Sequence, residues 1–149
     1  MVKYDWSFGT IKVKNENVTQ ALAAESLSAN VLGFIAVNGS GSTISKGTPV
    51  YISNYSNNKI VVSPADSSDS ATLPAIGVAV TNIENGKAGL IAVNGVVSGI
   101  DTSAFSNVND PVYVAVGGGI GTSGSQVIGR VLSVDASSGA IYVQGAVST

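Results

Sequence analysis

A chain of 149 residues can bury one substantial core, or two small ones packed together, and a domain of this size hides about 70% of its unfolded surface. Hydrophobic residues make up 44%, an ordinary share, but charged residues only 11% against about 25% in typical domains, so the surface must be built from Ser, Thr, Asn and Gly. The seven basic residues are dispersed and the net charge is -2, which argues against nucleic-acid binding. Cys and His are both absent, which removes disulfides, the usual zinc ligands and the commonest acid–base side chain.

The first segment, residues 1–33, reads as an extended arm followed by a short helix. Tyr4, Trp6, Phe8, Ile11 and Val13 fall among polar residues as in a single strand, and Val18, Ala21, Leu22, Ala24, Leu27 and Val31 recur at helical spacing behind a Thr19 cap. Exposed aromatic residues on such an arm need a partner, either the main sheet of the same chain or a neighbouring subunit. No apolar stretch follows Lys3 in the manner of a secretory signal, and no run approaches the ~20 apolar residues of a membrane-spanning helix. The expectation is a protein made as a soluble cytoplasmic product with no membrane partner. The Asn-x-Ser/Thr triplets at Asn17, Asn38 and Asn54 are the chance yield of an Asn- and Ser-rich chain.

From residue 34 to 149 the pattern changes to short β-branched runs broken by Gly, Asn, Ser and Pro, which predicts an all-β sandwich or barrel. Strands are predicted at 33–37, 49–53, 59–63, 76–82, 89–94, 111–116, 126–134 and 140–144. Pro49 and Pro111 each open a strand, where a missing N–H is tolerated. Asn38-Gly39, Asn85-Gly86 and Asn94-Gly95 supply the positive φ of tight hairpins, with Glu84 to Lys87 the best of them.

An internal repeat organises this region. Phe34-Ile-Ala-Val-Asn-Gly39, Gly47-Thr-Pro-Val-Tyr-Ile52, Ile76-Gly-Val-Ala-Val80 and Leu90-Ile-Ala-Val-Asn-Gly95 form one copy, at about 34–95. The second, at about 90–145, runs Leu90 to Gly95, Asp110-Pro-Val-Tyr-Val114, Ile128-Gly-Arg-Val131 and Ile141-Tyr-Val-Gln-Gly145. The offset is about 50 to 60 residues. Two β units that share a central strand predict a compact pseudo-symmetric domain, because each alone leaves a sheet face unburied. Tyr51 and Tyr113 each follow a Val predicted to be buried.

Three motifs invite chemistry. Gly119-Ile-Gly-Thr-Ser-Gly124 matches a dinucleotide fingerprint, but the residues after it are β-type with Gly129 in their middle, and the fingerprint needs a helix there. Asp66 and Asp69 do not have the spacing of a calcium loop and read as a solvated loop. Asp101 and Asp110 read as turn caps rather than as a glycosidase acid pair, and no Ser has a triad partner. The reading is a non-enzymatic protein with no catalytic residue, no metal and no cofactor.

The run Lys46-Gly-Thr-Pro-Val-Tyr-Ile, Leu73-Pro-Ala-Ile-Gly-Val-Ala, Leu90-Ile-Ala-Val-Asn-Gly, Asp110-Pro-Val-Tyr-Val and Ile128-Gly-Arg-Val-Leu, in that order, resembles a module of tailed-bacteriophage virion proteins. It is similar to capsid decoration proteins of the lambda head-protein-D type and to β modules of marine phage fibres, over roughly residues 34 to 145. The short helical segment after the arm departs from those relatives. The resemblance implies a homotrimer on the capsid surface of the virion, whose partners are itself and the major capsid protein, with Tyr4, Trp6, Phe8, Ile11 and Val13 as capsid contacts. An uncharged surface suits burial against other subunits, since interface cores are depleted in charge. The alternative is a fibre or receptor-binding module that recognises host glycan, for which Tyr51, Asn54, Tyr55, Asn57 and Tyr113 are the contact candidates.

Overall fold

The computed structural model describes residues 31–144, so the predicted arm and helix, and with them Tyr4, Trp6, Phe8, Ile11 and Val13, lie outside the described residues. The described chain is all-β. Nine strands follow in order: β1 (Val31–Asn38), β2 (Pro49–Ser56), β3 (Lys59–Pro64), β4 (Gly77–Ala79), β5 (Ala88–Ile100), β6 (Pro111–Val114), β7 (Ile120–Gly121), β8 (Val127–Ser133) and β9 (Gly139–Gln144). Among the described residues the only helical element is a 3-10 turn at Ser70–Thr72.

The first repeat closes on itself. β1 lies parallel to β3, β3 antiparallel to β2, β2 to β4, β4 to β5, and β5 pairs back with β1, which makes a ring of five strands. Alternation sends Ala36, Val50, Val62, Ala79 and Ile91 inward, where they are buried together. Ile44 and Ile83 join this core through a pair of reciprocal backbone hydrogen bonds, each 2.8 Å. Asn38 is fully buried with its amide satisfied: Nδ2 donates to the Ser42 and Ile83 carbonyls, and Oδ1 accepts from the Ser40 N–H and hydroxyl.

The second repeat reuses the same registers. Val50 faces Gly77 as Val112 faces Gly129, Pro49 faces Val78 as Pro111 faces Arg130, and Ala79 faces Ile91 as Val131 faces Ile141. The β6–β7 pair matches β2–β3. What has no counterpart among the described residues is the parallel β1–β3 ladder: β7 is two residues long and pairs with β6 alone, so the second unit is an open sheet. Its core is completed from the first unit instead. Ala65, Ala75, Val78 and Ala92 pack with Val97, Val112, Val114, Ile128, Val131, Ile141 and Val143.

The strand predicted to be shared is shared by halves rather than residue for residue. At Ala92 one edge of β5 pairs with Gly33 of β1 and the other with Val78 of β4, so β9 can pair only further along, at Asn94 to Ile100. This is why β5 runs to thirteen residues where the sequence predicted 89–94. Asn94-Gly95, expected at a hairpin turn, therefore sits inside a strand, and Gly95 keeps its positive φ of 136° there. Other boundaries also moved. β1 begins at Val31 rather than at residue 33, which places Val31 in a strand and not on a helical stripe, and β4 shrinks to three residues.

The connection between β3 and β4 fastens the two units. Ser67 donates its N–H to the Ala115 carbonyl and its hydroxyl to that of Val114, and accepts from the Ser125 N–H. Buried Gln126 pairs with both backbone groups of Ala75, accepting from the N–H at 2.7 Å and donating to the carbonyl at 2.9 Å.

Candidate functional site

The ring has one appendage. β2 pairs with β4 only at Pro49 and Val50, and β3 pairs with β1 only at Val61 and Val62, whereas β2 and β3 pair with each other out to Ser56 and Lys59. Beyond Asn54, whose partner Val61 still pairs with Val37 of β1, the two strands form a ribbon with no further strand on either edge among the described residues. Its loop has two residues, Asn57 and Asn58, with φ of 53° and 61°. Two successive left-handed residues make the type I′ turn that matches the twist of a hairpin, and Asn adopts that conformation more readily than other side chains with a Cβ.

The exposed side chains of the ribbon are polar except for two. Ile52 is 44% exposed and Tyr55 64% exposed, while Ser53, Asn54, Ser56, Asn57, Asn58 and Lys59 are all exposed. Tyr55 stands opposite Ile60, which packs on the ring core, so the phenol ring continues an apolar face past the point where the core ends. A bulge between Ile52 and Asn54 adjusts the register there, and Asn54 Oδ1 accepts from the Tyr55 N–H at 2.8 Å. That bond occupies the carbonyl end of the Asn54 amide and leaves its NH₂ as a donor.

The structure divides the five glycan candidates. Asn54, Tyr55 and Asn57 come together at the ribbon tip. Tyr51 is half-buried against the second core, as a framework residue behind Val50, and Tyr113 holds the equivalent half-buried place on β6, away from the ribbon. Sequence reasoning missed Asn58. Its signal was present, since two asparagines between the β-type runs of β2 and β3 are an I′ turn signature.

The carboxylates weighed for chemistry are occupied in turns. Asp66 accepts from the Ser68 hydroxyl and N–H and from the Gly117 N–H, and Asp69 caps the 3-10 turn through the Ala71 N–H. Asp101 accepts from the Ser103 N–H and hydroxyl, and Asp110 from the Ser106 and Asn107 N–H groups. Asp135 closes a fifth such turn with Ser137 and Ser138. These bonds favour the charged form and hold three carboxyls below their usual range. The largest cause is the Ser68 hydroxyl at Asp66, the Ser103 hydroxyl at Asp101 and the Ser137 N–H at Asp135. Gly119 to Gly124, the nucleotide-loop match, holds the short strand β7 and opens no helix.

No family model and no curated protein sequence matches the chain. A solved structure does. The crystal structure of the head fibre gp8.5 N base of bacteriophage phi29 superposes with a TM-score of 0.51, at 16% identity, over 76% of this chain and 93% of that one. At that identity the likeness is one of fold. It extends over nearly the whole of the phage domain, beyond a single shared hairpin.

Proposed function

We propose that this chain is a non-enzymatic structural protein of a bacteriophage virion, and within that class a head decoration or cement protein that binds the capsid exterior and stabilises it. The observation that carries the reading is the fold shared with a phage head fibre base across 93% of that domain. The ordered Pro-Val-Tyr and Ile-Gly motifs of both repeats add to it, since the structure pairs them in the same registers in both copies.

The physical character of the molecule supports the same role. The two cores of the β body are cross-fastened by Gln126 and Ser67, and the described Asp residues are engaged in turns. A surface this poor in charge is suited to burial against copies of itself and against a shell, as a homotrimer on the capsid surface would require. Tyr4, Trp6 and Phe8, with Ile11 and Val13, are the proposed shell contacts, because aromatic anchors dominate binding at interfaces.

The test is co-sedimentation of the full chain with capsids that lack it, beside a variant with Tyr4, Trp6 and Phe8 all replaced by Ala. Retention of the parent on capsids and loss of the variant supports the proposal. No retention of the parent overturns it, and equal retention of both removes the aromatic anchors from it.

A further inference from the structure

The internal repeat provides its own control for what the fold requires of the β2–β3 hairpin. In the second unit the equivalent hairpin pairs over two positions only, turns at Gly117 to Gly119, and is tied down by Asp66 and Ser67. The first unit extends the same hairpin: Ile60 still packs on the ring core and Val61 still pairs with β1, but Tyr55 to Lys59 are all exposed, meet no further strand among the described residues and carry an aromatic ring 64% exposed. An isolated two-stranded ribbon is marginal in water, so an exposed ribbon carrying Tyr55 on a turn of two left-handed asparagines is an addition that the fold does not need.

We propose that this ribbon tip is a carbohydrate-contact site, with the Tyr55 ring as stacking platform and the turn residues Asn57 and Asn58 as hydrogen-bonding partners; Asn54, the preceding strand residue, leaves the opposite face. A sugar ring presents a face of C–H groups edged by hydroxyls, and the tip carries both kinds of group: an exposed flat ring and, at the adjoining turn, two amides that donate and accept. The Asn57 and Asn58 side chains make no hydrogen bond among the described residues. A protein partner is a poorer match. The tip offers only Ile52 and Tyr55 as apolar contacts and Lys59 as its single charge, too little for the apolar centre of a protein interface. The site is convex, so single-site affinity is weak, about millimolar, and becomes useful where many copies present it together. The inference does not depend on capsid attachment, which is proposed for Tyr4, Trp6, Phe8, Ile11 and Val13.

The experiment is titration of the isotope-labelled full chain with the methyl glycosides of glucose, galactose, mannose and N-acetylglucosamine, followed by amide shifts in an NMR spectrum. Saturable shifts confined to residues 54–58 are expected for at least one sugar. Tyr55→Ala should weaken that binding about tenfold, and Tyr55→Phe, which keeps the ring, should retain it. Both variants should unfold at the parental temperature and co-sediment with capsids as the parent does. The proposal is overturned by absence of shifts at 54–58 with all four sugars, or by shifts that Tyr55→Ala leaves unweakened. Shifts at the tip produced by raising protein concentration alone would also overturn it, and would assign the ribbon to contact between copies.

Discussion

Gly77 and Gly129 hold the same place in the two repeats, on β4 opposite Val50 and on β8 opposite Val112. At each, the neighbouring strand passes so close that a Cβ would run into a backbone carbonyl oxygen, that of Ala92 at Gly77 and that of Tyr142 at Gly129. The obstacle at both sites is backbone in mid-sheet, which cannot swing aside as a side chain does. Forcing a methyl group into a packed interior costs about 1–3 kcal/mol, and removing a Gly from the unfolded chain returns about 0.4–1 kcal/mol. Because the obstacle is backbone, the upper half of that cost applies, and the expected net loss for Gly77→Ala and for Gly129→Ala is about 1–2.5 kcal/mol each, or a fall in Tm of roughly 2–10 °C for a chain of this size. Urea unfolding followed by circular dichroism should show a lower midpoint at unchanged slope, since the surface exposed on unfolding stays the same. A midpoint equal to or above the parent's in either variant would refute the close-approach argument, and with it the equivalence of the two positions.

Two further outcomes follow from the buried hydrogen bonds and the turns. Gln126→Leu keeps the side-chain volume but strands both backbone groups of Ala75 in the core, at about 1–3 kcal/mol per group; urea unfolding should register a loss of about 2–5 kcal/mol, with faster hydrogen exchange at the Ala75 amide. A loss below the lower bound would mean that water replaces the amide. The carboxyls of Asp66, Asp101 and Asp135 are held below the ordinary carboxylate range, so the folded state binds protons less readily than the unfolded one. Their contribution is present above the unfolded pKa and is lost as pH falls through the lower folded values. A thermal-unfolding series should be flat near neutral pH and fall below about pH 4, and the acid decline should be shallower in Asp101→Asn than in the parent.

What was legible in the sequence is what neighbouring residues decide. Alternation of period two marked most of the strands, and Pro49 and Pro111 fixed where β2 and β6 begin, because a missing N–H is tolerated at a strand's first residue. The repeat was legible because both units need the same residues at the same registers, a prolyl strand entry and a glycine under a crossing carbonyl. The Asp turns were legible because a carboxylate bonds the backbone two residues ahead without help from the rest of the chain. The ribbon tip was legible only in part: Tyr55 and Asn54 stood out by type, but nothing local says that β2 and β3 outrun their neighbours.

The tertiary structure alone decided how strands compete for edges. A strand has two edges, and whether Asn94-Gly95 turns or runs straight depends on β1 and β4 already occupying β5 at Ala92, with β1 encoded some sixty residues upstream. Ring closure was likewise hidden, since the parallel β1–β3 ladder rests on two residue pairs in the first unit and has no counterpart in the second among the described residues, although the two sequences repeat. Tyr51 is half-buried against the second core and Tyr113 half-buried on β6 for the same reason: burial is set by what packs across, and a side chain's type records only that it can be buried, not that a neighbour arrives to cover it.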